Sequence, residues 1–272
     1  LTFDDFYHSV IKRTPFQIQR AVIFALLMRE IKTRFGGHWA GVVWLFGEPL
    51  IKLAMLTWMF IFIRGRTVHN GYPYEVYLLV AMLPFSLFSK LWTQLMNGIK
   101  SNAGLYGYKQ VKPLDALVAR TILEVMLAVL VFILCFLALW RIGSRPTWPN
   151  DFLAYLLVVL NFVMIGFGLG LISAVALYFS PRVALAVSLI SMPLQILSGA
   201  VFPIHDLPLE VLGWLLFNPL VHLVELARRA FLPGYVMIQG VNFMYPVTWV
   251  LGTWTLGLSL YWVWRQRLAA PR

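Results

Sequence analysis

Six long apolar stretches, residues 42–63, 76–96, 117–140, 152–179, 183–201 and 247–264, divide this chain, and short clusters of Gly, Pro, Asn and charge separate them. A helix rises about 1.5 Å per residue and the hydrocarbon of a bilayer is about 30 Å thick, so one crossing takes about 20 apolar residues. The pattern therefore predicts an all-α integral membrane protein with six transmembrane helices, a bundle over 42–264 within a single transmembrane domain over 1–272. Composition points the same way: 60% of residues are hydrophobic and 12% charged, against about 45–50% and about 25% in soluble domains.

The cations orient the chain. Lys and Arg number 22 against 11 Asp and Glu, yet they gather at the ends of apolar stretches, where lipid headgroups and topology account for them better than nucleic acid does. A cytoplasmic N-terminus leaves 14 of the 22 inside, among them Lys100, Lys109, Lys112 and Arg120, and 6 outside, with Lys52 and Lys90 within spans. Short loops rich in Lys and Arg stay inside, so both termini are expected in the cytoplasm. The start Leu1-Thr2-Phe3-Asp4-Asp5 lacks the basic-then-apolar order of a cleavable signal, and insertion is expected to be directed by the spans. Cys135 is the one cysteine, which excludes an intrachain disulfide and reads as packing or lipid contact.

Two segments break the pattern. Before the first span the apolar run 21–28 is too short to cross and is bracketed by Arg20 and Arg29. With Pro15 at a helix start, residues 15–35 read as an amphipathic helix lying in the headgroup layer, and Gly36-Gly37 as the turn into the first span. After the fifth span, Phe202, Pro203 and His205 open an irregular region. The next apolar run ends at Asn218-Pro219, too short to span, so 203–231 reads as an external re-entrant element. His222, Glu225 and Arg229 then share one helical stripe, with Glu225 and Arg229 spaced to pair.

Catalysis has little to stand on. The acids and the five His are scattered rather than gathered into clusters for metal or phosphate chemistry, so neither a catalytic nor a metal site is expected. No Gly-x-x-x-x-Gly-Lys-Ser/Thr loop occurs, and ATP energy must come from a partner. Gly166-Phe167-Gly168-Leu169-Gly170 lies inside an apolar span and reads as close helix packing. Of the charges within spans, Glu48 and Lys52 are one turn apart and spaced for a local pair. Lys90 and Glu124 stabilise packing, pair with each other, or line an aqueous path. Trp39, Trp44, Tyr72, Tyr74, Trp148, Trp249 and Trp264 near span ends read as interfacial anchors.

The inner loop over 105–120 is different in kind, since it packs aromatic, cationic and turn-forming residues into a segment too short to fold alone. Tyr106, Tyr108, Lys109 and Lys112 are anchors of the sort enriched at interfaces. Pro113 as a helix start, with Asp115 in the first turn, suggests a short rigid helix.

Taken in order, Met28-Arg29-Glu30-Ile31-Lys32-Thr33-Arg34-Phe35-Gly36, Gly47-Glu48-Pro49, Tyr108-Lys109-Gln110-Val111-Lys112-Pro113-Leu114-Asp115, Phe202-Pro203-Ile204 and the run from Asn218 to Arg228 resemble the permease subunits of ABC-2-type polysaccharide exporters. The combination is most similar to the capsule exporters of Gram-negative bacteria, the KpsM type. O-antigen and teichoic-acid exporters are the neighbouring alternatives, and a membrane glycosyltransferase or an ion-coupled transporter stands further off.

The resemblance implies a homodimer in the bacterial inner membrane that carries no cofactor of its own. It pairs with two copies of a cytoplasmic ABC ATPase of the KpsT type, which binds ATP and Mg, and with a periplasmic co-polymerase-type adaptor of the KpsE type. The cargo it implies is a lipid-linked acidic polysaccharide. On this likeness, 107–117 is the coupling helix, and Tyr106, Gly107, Tyr108, Lys109, Gln110, Val111, Lys112, Pro113, Leu114 and Asp115 face the ATPase. The helix 15–35 lies beside a lateral gate, where Arg29, Lys32 and Arg34 are candidates for the lipid end of the polymer. Residues 203–231 form the external re-entrant element, and the likeness places Phe202, Pro203, His205, Asn218, His222, Glu225 and Arg229 in an outer gate region.

Overall fold

The computed structural model describes residues 14–35, 39–64, 71–108, 110–143 and 148–269. The acidic start at 1–5, the turn at Gly36-Gly37 and Lys109 lie outside the described residues. Within them the regular elements are helical: α1 (Pro15–Phe35), α2 (Trp39–Arg64), α3 (Tyr74–Met96), α4 (Gly98–Ser101), α5 (Pro113–Ile142), α6 (Phe152–Phe179), α7 (Arg182–Leu197), α8 (Leu209–Leu215), α9 (Pro219–Phe231) and α10 (Met244–Ala269), with a 3-10 turn at Ala103–Leu105.

Helices occupy all six apolar stretches. Among the described residues three of them, α3, α5 and α6, are long and apolar enough to cross a bilayer, and α8 with α9 makes a fourth if that bent pair is one broken span. The stretch expected as a fifth span is shorter as a helix than as an apolar run. α7 has 16 residues, about 24 Å of rise, and stops at Leu197 because Gly199 takes a left-handed φ of +70°.

Local chemistry starts these helices. α1 opens with Pro15 after Thr14, whose backbone N–H donates to Gln17 Oε1 at 3.0 Å while the Gln17 N–H donates back to Thr14 Oγ1 at 3.4 Å; this reciprocal cap satisfies two orphan donors. Asp151 caps α6 by accepting from the Ala154 N–H at 2.9 Å, and Asn218 caps α9 ahead of Pro219 by accepting from the Leu220 N–H at 3.0 Å.

α3 is the axis of the molecule, buried along most of its length and packed on α6, which in turn packs on α10. The glycine run of α6 makes both contacts possible. A Cβ on Gly170 would meet Leu95 Cβ at 2.7 Å, and one on Gly168 would meet Thr253 Oγ1 at 2.5 Å. The run is thus a two-sided packing seam, as the sequence suggested. Cys135 is buried in the main core with Val131 and Leu139. Trp44, Trp148 and Trp249 are exposed, but Tyr74 is buried and stacks on Phe60 with centroids 5.5 Å apart, so it belongs to the core and is no interfacial anchor.

α1 departs from a simple two-faced helix. Leu26, with Val22, Ile23 and Leu27, packs on Ala116 and Ala119 of α5, whereas Phe16 and Phe24 are exposed on the remaining surface. α8 and α9 bend by 105° at their junction, the geometry of a broken span or of the re-entrant element that their short apolar runs predicted.

Candidate functional site

Among its described residues the basic loop holds no short independent helix. Pro113 begins the 30-residue α5, because its fixed φ suits a first turn and nothing after Asp115 interrupts the helix. The short elements lie upstream, at α4 and the 3-10 turn. Asp115 is buried in that first turn, where its Oδ2 accepts the Lys112 backbone N–H at 3.1 Å and its Oδ1 accepts Gln19 Nε2 of α1 at 3.2 Å.

Of the ten residues expected to face a partner, the nine that are described divide into two groups. Tyr106 is 6% exposed, and its hydroxyl donates to the Ile99 carbonyl at 3.1 Å; burial pushes the phenol above its ordinary pKa. Pro113 and Asp115 are buried too, with Val111 and Leu114 half-buried. Gly107, Tyr108, Gln110 and Lys112 form the exposed crest, with Tyr108 at 68% exposure. Beside that crest opens a groove of about 990 Å³, whose far wall is the end of α10 with Tyr261, Trp262 and Arg265. The Arg265 guanidinium sits 3.6 Å over the Trp262 ring.

The candidates for a lipid end are not equivalent. Arg29 Nη1 donates to Asn102 Oδ1 at 2.6 Å, and Arg34 Nη1 meets Glu124 Oε1 at 2.5 Å. Lys32 is exposed. Glu124 therefore pairs with α1 rather than with Lys90, although Lys90 and Glu124 line the same cavity of about 30 Å³ between α2, α3 and α5. Lys52 Nζ donates to Gln195 Oε1 of α7 at 3.1 Å, while Glu48 is exposed. Lys52 thus joins a distant helix, while Glu48 still acts on it through its charge. Lys52 also lines a second cavity of about 20 Å³ beside Pro49 and Cys135.

The hairpin at the other end holds a buried charge cluster. Glu225 pairs with Arg228 at 3.2 Å, not with Arg229, because Arg228 shares its buried face while Arg229 is exposed beside Asp151. Tyr235 donates to both Glu225 oxygens at 3.0 and 3.2 Å, and the Ile238 N–H approaches at 3.4 Å. His205 Nε2 stands 3.6 Å from Glu225 Oε2. His222 Nδ1 accepts from the Asn242 N–H at 2.9 Å, and its Nε2 lies 2.9 Å from the Leu216 carbonyl. Pro203 is buried, and Phe202 packs half-buried beside Ile204. Arg228 and Tyr235 are members that the sequence reading missed, and Glu225 with Arg228 at i, i+3 was the available signal.

Apolar helices packed about α3, with ion pairs at a seam on α1 and in the bent hairpin, define a multi-pass helical membrane protein. Among the described residues no group of three or more His, Cys, Asp or Glu converges. Residues 21–232 match the ABC-2 type transporter family, and the chain belongs to it. It is 36% identical over 249 residues to the polysialic acid transport protein KpsM of Escherichia coli, covering 92% of this chain and 95% of that one. It is 34% identical over 217 residues to the capsule polysaccharide export inner-membrane protein CtrC of Neisseria meningitidis serogroup A, covering 79% and 80%. With the capsule polysaccharide export inner-membrane protein BexB of Haemophilus influenzae it shares 32% over 240 residues, covering 84% and 85%.

Proposed function

We propose that this chain is the permease of an ATP-driven exporter that moves lipid-linked capsular polysaccharide across the bacterial inner membrane. The observation that carries the reading is its likeness, along nearly the whole chain, to proteins named for capsule polysaccharide export and polysialic acid transport. In this reading it crosses six times with both termini cytoplasmic, forms a homodimer, and is itself no enzyme. Two copies of a cytoplasmic ABC ATPase bind ATP and Mg, and a periplasmic adaptor continues the path.

The exposed crest Gly107, Tyr108, Gln110 and Lys112 is where the ATPase docks, with the buried members of 106–115 and Asp115's bond to α1 stiffening it from behind. ATP binding pushes the crest, the two bundles reshape a conduit between them, and hydrolysis resets it. Arg29 and Arg34 have acceptors within the chain, so the candidate for the polymer's lipid end narrows to Lys32. The bent hairpin serves as the outer gate region. Depleting the chain from its host tests the whole: polysaccharide is expected to accumulate inside the cell and vanish from the surface, and a surface coat that persists overturns the reading.

A further inference from the structure

Two ion pairs between α1 and α5 form a reciprocal quartet. Glu30 and Arg34 lie one turn apart on α1, and Arg120 and Glu124 lie one turn apart on α5. Acid faces base at each level: Arg120 Nη2 to Glu30 Oε1 at 2.6 Å, and Arg34 Nη1 to Glu124 Oε1 at 2.5 Å. Ala116 and Ala119, both buried, let α1 approach closely enough for the pairs to close over Leu26.

Arg120 does more than pair. Its Nη1 donates to the Gln94 carbonyl at the end of α3 at 3.0 Å, and its Nη2 donates to Ser101 Oγ of α4 at 3.0 Å. Asn102, immediately before the 3-10 turn, donates to Glu30 Oε1 at 3.3 Å and accepts from Arg29 at 2.6 Å. One guanidinium thus gathers the end of α3, the turn below it, the first part of α5, and α1. A single long pair would let α1 pivot, but two pairs one turn apart fix it against both pivoting and sliding.

We infer that this quartet is a clasp that carries displacement of the 106–115 crest to α1, so that Glu30, Arg34, Arg120 and Glu124 are positioning residues for export rather than contacts for its cargo. The inference rests on the reading of the crest as the ATPase dock. A loop pushed from outside moves the start of α5, and α1 follows only if it is fixed to α5. Glu124 is 3% exposed and Arg34 27%, so the second pair is shielded on one side and resists screening. Apolar packing of Val22, Ile23, Leu26 and Leu27 is non-directional, and the Gln19–Asp115 bond at 3.2 Å holds only the first turns of α1, which leaves its far half to the quartet.

The test uses the full chain with its ATPase in membranes and reads insertion, copurification of the ATPase, ATP hydrolysis, and polysaccharide exported per ATP. Arg120→Glu and, separately, Glu124→Arg are expected to leave the first three near wild type while export per ATP falls about tenfold. The swaps Glu30→Arg with Arg120→Glu, and Arg34→Glu with Glu124→Arg, are expected to recover most of that loss. Should the reversals fail to insert, the milder Glu30→Gln with Glu124→Gln keeps the shapes, removes both acids, and is expected to give the same split.

Export per ATP unchanged by the reversals overturns the clasp. So does a swap that inserts and hydrolyses ATP yet restores nothing, or, in the milder variant, insertion and hydrolysis lost together with export, since the quartet would then merely hold the fold. A wild-type chain that captures no ATPase removes the docking reading and the clasp with it.

Discussion

The Arg228 guanidinium lies 3.8 Å from the centroid of the Tyr77 ring, and that contact joins the bent hairpin to the central helix α3. The same group donates to the Gly199 carbonyl at 2.6 Å and to Glu225 at 3.2 Å, so three elements that are distant in sequence meet on one cation. Tyr235 closes the far side of Glu225, and burial pushes its phenol above the ordinary value, keeping it a donor.

Arg228→Ala leaves Glu225 buried without its cation, a defect that costs about 3–5 kcal/mol when one partner of a buried pair is removed. Arg228→Lys is expected to rescue only part of this, because an ammonium has no planar face to lay on Tyr77 and no fork to span Glu225 and Gly199. Thermal unfolding in detergent checks the order: wild type above Lys, Lys above Ala. Equal melting of the Lys variant and wild type would show that the planar stacking adds nothing.

A second prediction concerns the glycine seam. Gly170→Ala drives a methyl against Leu95 Cβ, where 2.7 Å is available, and overpacking of this kind costs about 1–3 kcal/mol. Gly252→Ala in α10 meets nothing within 4 Å and removes a helix-weakening residue, worth about 0.5–1 kcal/mol. Melting in detergent is expected to fall for the first and hold or rise for the second. A stable Gly170→Ala variant would mean that α3 and α6 are free to separate.

These cases mark where the sequence was readable. Helix positions follow from hydropathy, and starts such as Pro15 and Asn218-Pro219 are local, so both were visible. Charge partners were not. Glu225 can reach either i+3 or i+4, and only the packing of α9 on α3, which hides one face, selects Arg228. Lys52 finds its hydrogen-bond acceptor in Gln195, 143 residues away, a partner that spacing along one helix does not reveal. Within the loop, Tyr106 and Tyr108 have the same chemistry and opposite burial, because the 3-10 turn rotates one inward, and no periodic pattern in so short a segment reveals that.

That opposition gives a third prediction. Tyr106→Phe removes the bond to the Ile99 carbonyl, which keeps the Asn102 backbone N–H at 3.3 Å, and the loss of one such bond costs about 0.5–1.5 kcal/mol. Melting is expected to drop while the affinity of the chain for its ATPase stays the same, since the hydroxyl points into the protein. A loss of affinity with unchanged melting would place Tyr106 at the docking surface instead.

The crest makes the converse prediction. Tyr108 and Lys112 are exposed, and neither side chain supports the packing behind them, so Tyr108→Ala with Lys112→Glu is expected to leave insertion and melting intact. If the ATPase grips this crest, the double variant removes an aromatic anchor and inverts a charge at the contact, changes that at interface centres cost about 2 kcal/mol or more. Export is then expected to fall by at least about tenfold while hydrolysis continues uncoupled, or to stop together with capture of the ATPase at low concentration. Quantifying copurified ATPase, hydrolysis and surface polysaccharide in the same cells separates these from a failure to insert, which would reduce the loop to a topological connection. The Lys112 backbone N–H is still held by Asp115 in the variant, so the start of α5 remains a valid internal reference for that comparison.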